Sequence, residues 1–582
     1  MLHRQIEERL RAAVAQVAPE ADPGAILVRP CPDARFGDYQ TNALMALAKA
    51  RRTNPRQLAQ AVADAFDAPG LCDQIEVAGP GFLNFRLTPQ ALVHSLTEAA
   101  RGRHLFFATA AAPQTVILDF SSPNVAKPMH VGHIRSTILG DALARTFRLL
   151  GHRVITDNHI GDWGTQFGML LVGWKTLLDP AALERDPIAE LERIYRAVNA
   201  RCSEGKPEFD RTTLEQARGE LVRLQAGDAE NTAIWRRMIA LSQEQFATIY
   251  GRLGVRFDHA LGESFYNDRL AGVVRELESA GIVRESEGAL VAFFDDLPQL
   301  QRHPAIVRKS DGAANYTTTD LATLQYRLTT WNPDAVIYVT DGRQQLHFQQ
   351  VFEIFRRWQP QARVRPAHVW FGSILGEDNR PLKTRSGENI KLADLLDEAE
   401  ERALQVVAGK NPDLPEPEQR QIARMVGIGA VKYADLLPNR QSDYVFSWDK
   451  MLALNGNTAP YLLYAATRIR SIFRKLAESG ETFDLATAAA HLTLNEPAEL
   501  ALAKHLHGFD LVLHAVAEEH RPNYLCNYLY ELAGQFTGFY EACPVLRAED
   551  PVRTSRLVLC ELTLRVLARG LHVLGLELPD RM

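Results

Sequence analysis

Cysteine is scarce in this 582-residue chain, and the six present (Cys31, Cys72, Cys202, Cys526, Cys543 and Cys560) do not cluster. Without a Cys-x-x-Cys pair the sequence predicts reduced thiols, no disulfide framework and no structural metal. Long apolar runs are also missing. No uncharged stretch approaches the ~20 residues of a membrane-spanning helix. The N-terminal segment MLHRQIEERLRAAV carries Glu7 and Glu8 where a signal peptide would have its apolar core. These features predict a cytoplasmic protein with no membrane partner. An excess of positive charge is absent too. A formal net charge of −6 excludes a general nucleic-acid coater, so any nucleic-acid surface must be a local patch. Neither internal repeats nor low-complexity segments occur. What remains is ordinary for a globular protein, with 46% hydrophobic and 23% charged residues. The length is too great for one core and predicts about two to four domains.

The stretch from Thr115 to Gly151 organises the chain. Thr115 to Phe120 is β-branched and aliphatic and reads as a buried strand. Ser121, Ser122, Pro123 and Asn124 break it as a loop. From about His130 the period turns helical, through Ile134, Ile138, Leu143, Phe147 and Leu150, and Gly151 supplies the stop. A second strand, His152 to Thr156, follows. This is a βαβ unit, which predicts a parallel sheet with its site at the carboxyl ends of the strands. His130 and His133 are three apart and share a helix face, with Gly132 between them leaving room for a flat ligand. At a helix N-terminus, two imidazoles and Lys127 suit the phosphates of a nucleotide. Histidines beside a turn also serve purely structural ends. The spacing is not that of a His-x3-His zinc helix.

Other segments carry weaker signals. Residues 1–108 read as a small α+β domain. Helical patterns cover Gln5 to Val17, Tyr39 to Ala50 and Pro55 to Ala65, and a Gly-rich strand segment follows. Within it, Asp38 reads as a helix cap and Gly79 to Gly81 as a tight turn. Ala108 to Pro113 reads as a linker. Three glycines between Gly161 and Gly168 mark a tight loop beside a ligand or another backbone. Residues from about 176 to 300 are charged and helical, an insertion between two halves of the sheet, with Gly288 to Phe294 as the return to strand. Tyr316 and Asp320 are four apart on the next helix, and Gln344 and His347 are three apart on another. A strand from His368 to Leu375 leads to a Gly-, Asn- and Pro-rich loop bearing Lys383 and Arg385. From 392 the chain is helical almost throughout, broken at Pro412 to Pro417. One helix interleaves Tyr461 and Tyr464 with Arg468. That pattern fits an amphipathic core helix and also fits stacking of single-stranded RNA bases.

The run Ser121 to Thr137, Ser-Ser-Pro-Asn-Val-Ala-Lys-Pro-Met-His-Val-Gly-His-Ile-Arg-Ser-Thr, closely resembles the ATP-site signature of class I aminoacyl-tRNA synthetases, and within them the arginyl-tRNA synthetases. Asn158 to Gly168, Phe36 to Gln40, Gly79 to Asn84 and the Tyr461 helix resemble the same family in the same order. The resemblance implies an α/β protein. Its parts would be a Rossmann-like nucleotide-binding catalytic domain (113–391) with a helical insertion, an α+β N-terminal domain (1–108) and an all-α anticodon-binding domain (392–582). It implies a ligase that activates L-arginine with ATP and Mg²⁺ as arginyl-adenylate and transfers it to tRNA-Arg, acting as a monomer. His130, Gly132, His133, Lys127, Lys383 and Arg385 would meet ATP, and His130, His133, Lys127 and Lys383 would be catalytic. Asp119, Ser122 and Asn124 would hold the α-amino and carboxylate ends of arginine, and Tyr316, Asp320 and Gln344 its guanidinium. Phe36, Asp38, Tyr39, Gln40, Tyr461 and Arg468 would touch tRNA. The sequence departs from the class at the late loop, where Leu382-Lys383-Thr384-Arg385-Ser386-Gly387 lacks the second lysine of Lys-Met-Ser-Lys-Ser. Lys127 is the residue expected to compensate. Small-molecule adenylyltransferases share the His-x-Gly-His turn but are shorter and lack the helical carboxyl third. A non-catalytic tRNA-binding paralogue is the other alternative.

Overall fold

The structure is a computed structural model and describes residues 1–383 and 389–582. Its centre is a four-stranded parallel sheet built from β1 (Thr115–Phe120), β2 (Arg153–Asp157), β3 (Ala335–Val339) and β4 (Arg365–His368), in the order β4-β3-β1-β2. Both faces are covered. Val116, Leu118, Phe120, Ile337 and Val339 point to one core and Ile117, Ile155, Val336 and Tyr338 to the other, which is why the strands read as continuous apolar runs. The helix α1 (Ile134–Leu149) crosses over between β1 and β2, and α2 (Tyr316–Trp331) precedes β3 on the opposite face. Strand order reverses between β1 and β3, and such a switch point opens a crevice at the carboxyl ends. After β3 comes α3 (Gln345–Trp358).

The return to strand expected at Gly288 to Phe294 is present, but outside the parallel sheet. Ala289–Ala292 is the middle strand of a separate antiparallel sheet with Val283–Ser286 and Ala305–Arg308. The stretch His368 to Leu375 is two strands, because β4 ends at His368 and Ile374–Leu375 leaves to pair with Tyr444–Val445. The helical pattern from Tyr39 begins instead with a strand, Tyr39–Thr41, whose alternate residues are buried, and helix starts at Ala43. The Asp38 carboxylate is no helix cap. It accepts the Leu87 N–H at 2.8 Å and pairs with Lys504 at 2.7 Å.

The carboxyl part opens with α4 (Leu392–Lys410) and α5 (Glu416–Leu436), separated by the proline tract, and continues through α6 (Ala459–Glu478) and α7 (Asn523–Ala542). It is fastened to the rest by buried charge. Arg135 of α1 pairs with Asp435 of α5 at 3.0 Å, both side chains 1% exposed or less. The same guanidinium donates to the Gly372 and Ser442 carbonyls. Asp510, also buried, takes His3 at 3.1 Å, Arg4 at 2.8 Å and the Ala108 N–H at 2.8 Å. These contacts hold its carboxyl down at about 2 against the opposing effect of burial. The small N-terminal domain and the linker are thereby docked on the helical part.

Candidate active site

The loop after β1 is pinned from three sides. Ser121 and Ser122 both adopt left-handed backbone, φ 75° and 48°, a conformation costly for residues with a Cβ unless the surroundings impose it. Here they do. The Ser121 N–H donates to Ser136 Oγ of α1, which in turn donates to the Val339 carbonyl at the end of β3. The Ser122 N–H donates to Asn158 Oδ1. Gly161 explains part of the glycine-rich loop, since a Cβ there would lie 2.3 Å from Asn124 Oδ1. Asn124 is exposed at this edge.

His130 and His133 flank a single turn of 3-10 helix, their ring centroids 4.1 Å apart. His130 Nδ1 accepts the Gly132 N–H, and His133 Nδ1 accepts the His130 N–H, both at 3.1 Å. Gly132 has no space for a Cβ, which would meet the His130 ring at 2.8 Å. Burial, then the charge of Lys127, depresses the His130 imidazole, and burial with His130 beside it pushes His133 down to about 3. Neutral rings whose Nδ1 atoms are acceptors carry their proton on Nε2. The pair therefore faces the site as neutral hydrogen-bond donors. Histidine-selective ¹⁵N spectra are expected to show His133 as the neutral Nε2–H tautomer from pH 8 down to about 5, with no titration near the unperturbed ~6.5. Its folded pKa is depressed, so its stabilisation is complete above ~6.5 and is lost as pH falls toward the folded value.

Lys127 sits at the same edge. Its Nζ lies 4.9 Å from the Tyr195 ring centroid, and among the described residues no carboxylate pairs with it. Ala126 before it is left-handed (φ 61°) and donates its N–H to Ser242 Oγ. The late loop returns to this place, because the Val131 N–H donates to the Ile390 carbonyl and the Leu392 N–H to the Met129 carbonyl. Lys383 is exposed on that loop, and Arg385 lies outside the described residues.

The guanidinium candidates gather beyond β3. Asp320 Oδ2 is 2.6 Å from His347 Nε2, and the Tyr316 ring, 63% exposed, lies edge-on to His347 at 4.9 Å. Gln344 is exposed one turn earlier. Sequence reasoning noted the spacing of Gln344 and His347 but did not place His347 in the site. Glu263, also missed, is raised to about 7 by burial, and its electrostatic neighbours include His159, Asp162 and Asp320. Asp119 is buried, accepts Ser122 Oγ at 3.3 Å and is held by Arg327 at 2.7 Å. Away from this edge, Phe36 is 56% exposed and Gln40 half-buried, but Tyr39 is 5% exposed in the core and has no surface to offer. Tyr461 packs at a tilt against Tyr530 and Arg468 lies over Tyr540, both rings of α7, while Tyr464 is exposed.

Comparison with known proteins agrees along the whole chain. The family described as tRNA synthetases class I (R), catalytic domain, matches residues 97–448. The DALR anticodon binding domain matches 462–582, and the arginyl tRNA synthetase N terminal domain 4–87. The arginine–tRNA ligase of Chromobacterium violaceum is 45% identical over the full length of both chains, and that of Escherichia coli 45% identical over 99% of each. The crystal structure of arginyl-tRNA synthetase from Plasmodium falciparum superposes with a TM-score of 0.83 at 27% identity, covering 100% of this chain and 99% of that one. The arginyl-tRNA synthetase of Thermus thermophilus gives 0.82 at 26%, covering all of both. This chain belongs to the class I arginyl-tRNA synthetases, and its activity is that of an arginine–tRNA ligase.

Proposed function

We propose that both half-reactions take place in the crevice at the carboxyl ends of β1 and β3, on L-arginine, ATP and tRNA-Arg. The arginine carboxylate, already ionised, attacks the α-phosphorus in line and pyrophosphate leaves. A ribose hydroxyl of the terminal tRNA adenosine then attacks the activated carbonyl and AMP leaves. No general base is required for the first step. What it requires is stabilisation of charge on the phosphate oxygens. The Nε2–H groups of His130 and His133 and the ammonium of Lys127 supply it, with Lys383 and Arg385 of the late loop and Gly132 allowing close approach. Among the described residues no group of three or more His, Cys, Asp or Glu converges as a metal site. We therefore assign Mg²⁺ to the phosphates and water, as substrate. Asp320, with Tyr316, His347 and Gln344, takes the guanidinium, because only a carboxylate matches its planar fork. Asp119, Ser122 and Asn124 take the ammonium and carboxylate end.

The observation that carries this reading is the placing of the imidazole pair and the Asp320–His347 pair at the ends of adjacent strands. It is tested by arginine-dependent ATP–pyrophosphate exchange, expected only when tRNA is present. Exchange without tRNA would remove the requirement for tRNA, and no exchange in any condition would remove the assignment of ATP activation.

Binding of tRNA falls to Phe36 and Gln40 on the small domain and to α6 on the helical part. Tyr461→Ala is expected to lower the thermal midpoint and tRNA affinity together. It removes a ring pair worth about 0.5–1.5 kcal/mol beyond its buried area. Tyr464→Ala should weaken tRNA binding alone. An unaltered tRNA affinity in both variants would take α6 out of the interface. No helix among the described residues is long and apolar enough to cross a membrane. A cytoplasmic monomer remains our reading.

A further inference from the structure

The ends of the four parallel strands place Asp157, Asp119, Tyr338 and His368 in one register row. Residues in one row of a parallel sheet point to one face, and α2 crosses that face. From it Arg327 enters the row with no exposed side-chain surface. Its Nη2 donates to Asp119 Oδ2 and to Asp157 Oδ2, each at 2.7 Å, and its Cζ lies 5.3 Å from the Tyr338 ring centroid. Asp119 keeps its other oxygen, Oδ1, toward Ser122 and the loop of the site. Arg327 comes seven residues after Asp320, two turns along one helix and about 10 Å along its axis on the same side.

We infer that Arg327 is a positioning residue that aims the Asp119 carboxylate at the α-ammonium of the substrate, so that one helix sets the spacing between the two ends of bound arginine. This rests on the reading above that Asp119 meets the ammonium. The charge arithmetic explains why a buried guanidinium belongs here. Asp119 is driven toward its neutral form by burial and by Asp157 of β2, and a neutral carboxyl attracts an ammonium poorly. Arg327 from α2 opposes both, and His159 from the loop after β2 adds to it. The hydroxyls of Tyr338 (β3) and Tyr266 are the remaining titratable groups around the guanidinium.

The test compares affinities for L-arginine and 5-guanidinopentanoic acid, its analogue without the amino group, by competition in pyrophosphate exchange with tRNA present. In Arg327→Lys the preference for arginine should fall by about tenfold or more, one pKa unit's worth of interaction or above. The KM for arginine should improve as pH rises and the KM for ATP should be unchanged. Asp119→Asn reports on the underlying reading separately. If it leaves the preference intact, Asp119 does not bind the ammonium, whatever Arg327 does. If it abolishes the preference while folded Arg327→Lys retains it at all pH values, the positioning role is overturned. Should Arg327→Lys not fold, Asp157→Asn decides. Removing the competing carboxylate should move the acid limb of kcat/KM for arginine to lower pH, and an unmoved limb overturns the inference.

Discussion

Asp320→Asn is expected to weaken arginine binding on the order of a hundredfold or more while leaving ATP binding almost unchanged. Breaking a buried charge pair costs about 3–5 kcal/mol, and the lower end applies because the Asp320 side chain keeps 18% of its surface. The amide preserves the shape and can still meet His347, so the helix should be undisturbed. What it cannot do is accept both N–H groups of a guanidinium fork with a full negative charge. The loss belongs to ground-state and transition-state binding alike and should appear in the KM for arginine rather than in kcat. Isothermal titration of arginine, with ATP as the control ligand, measures it. Preserved affinity would place specificity elsewhere and remove Tyr316, His347 and Gln344 from the guanidinium site.

The contrast between Asp320 and the histidine pair shows what the sequence makes legible. His130, Gly132 and His133 lie within four residues of a strand-to-helix turn, so period and punctuation alone locate them. The parallel sheet followed from the same βαβ reading, the Rossmann-like fold class came from the resemblance, and the family relationship confirms both. The partner of Asp320 is 27 residues away on another helix, and no local period reports a contact between α2 and α3. Arg327 was invisible for a different reason. An arginine in mid-helix reads as a solvated face, and only the row of side chains across the sheet shows that it faces two carboxylates. The charge state of the histidines depends on burial, which sequence does not give. Asp38 and Tyr39 show the reverse error, since a motif word was read as a surface when its residues are used inward, in a strand and an ion pair. The late loop's attachment to His130 runs through backbone hydrogen bonds, which no residue type announces.

Lys127→Ala is expected to slow adenylate formation by ~10²–10³, the usual effect of losing one well-placed donor to developing charge. Neutral histidines sharpen this expectation. If both rings donate hydrogen bonds without carrying charge, the fixed positive charge near the α-phosphate must come from a lysine or arginine. The late loop lacks one class lysine, and Lys383 is exposed on it. Lys127 is restrained by the left-handed Ala126 before it and by that residue's bond to Ser242. It is near enough to His130 to depress that imidazole, and among the described residues its contact is the face of Tyr195 rather than a carboxylate. An ammonium held over a ring keeps its charge available to a phosphate in a way that a salt-bridged one does not. Arginine affinity should not change, because the interaction strengthens only as the pentacoordinate phosphorus forms. Single-turnover adenylate formation with tRNA bound separates the possibilities. A near-normal rate in Lys127→Ala together with a large loss in Lys383→Ala would move the charge to the late loop. A loss confined to arginine affinity would make Lys127 part of the amino-acid pocket.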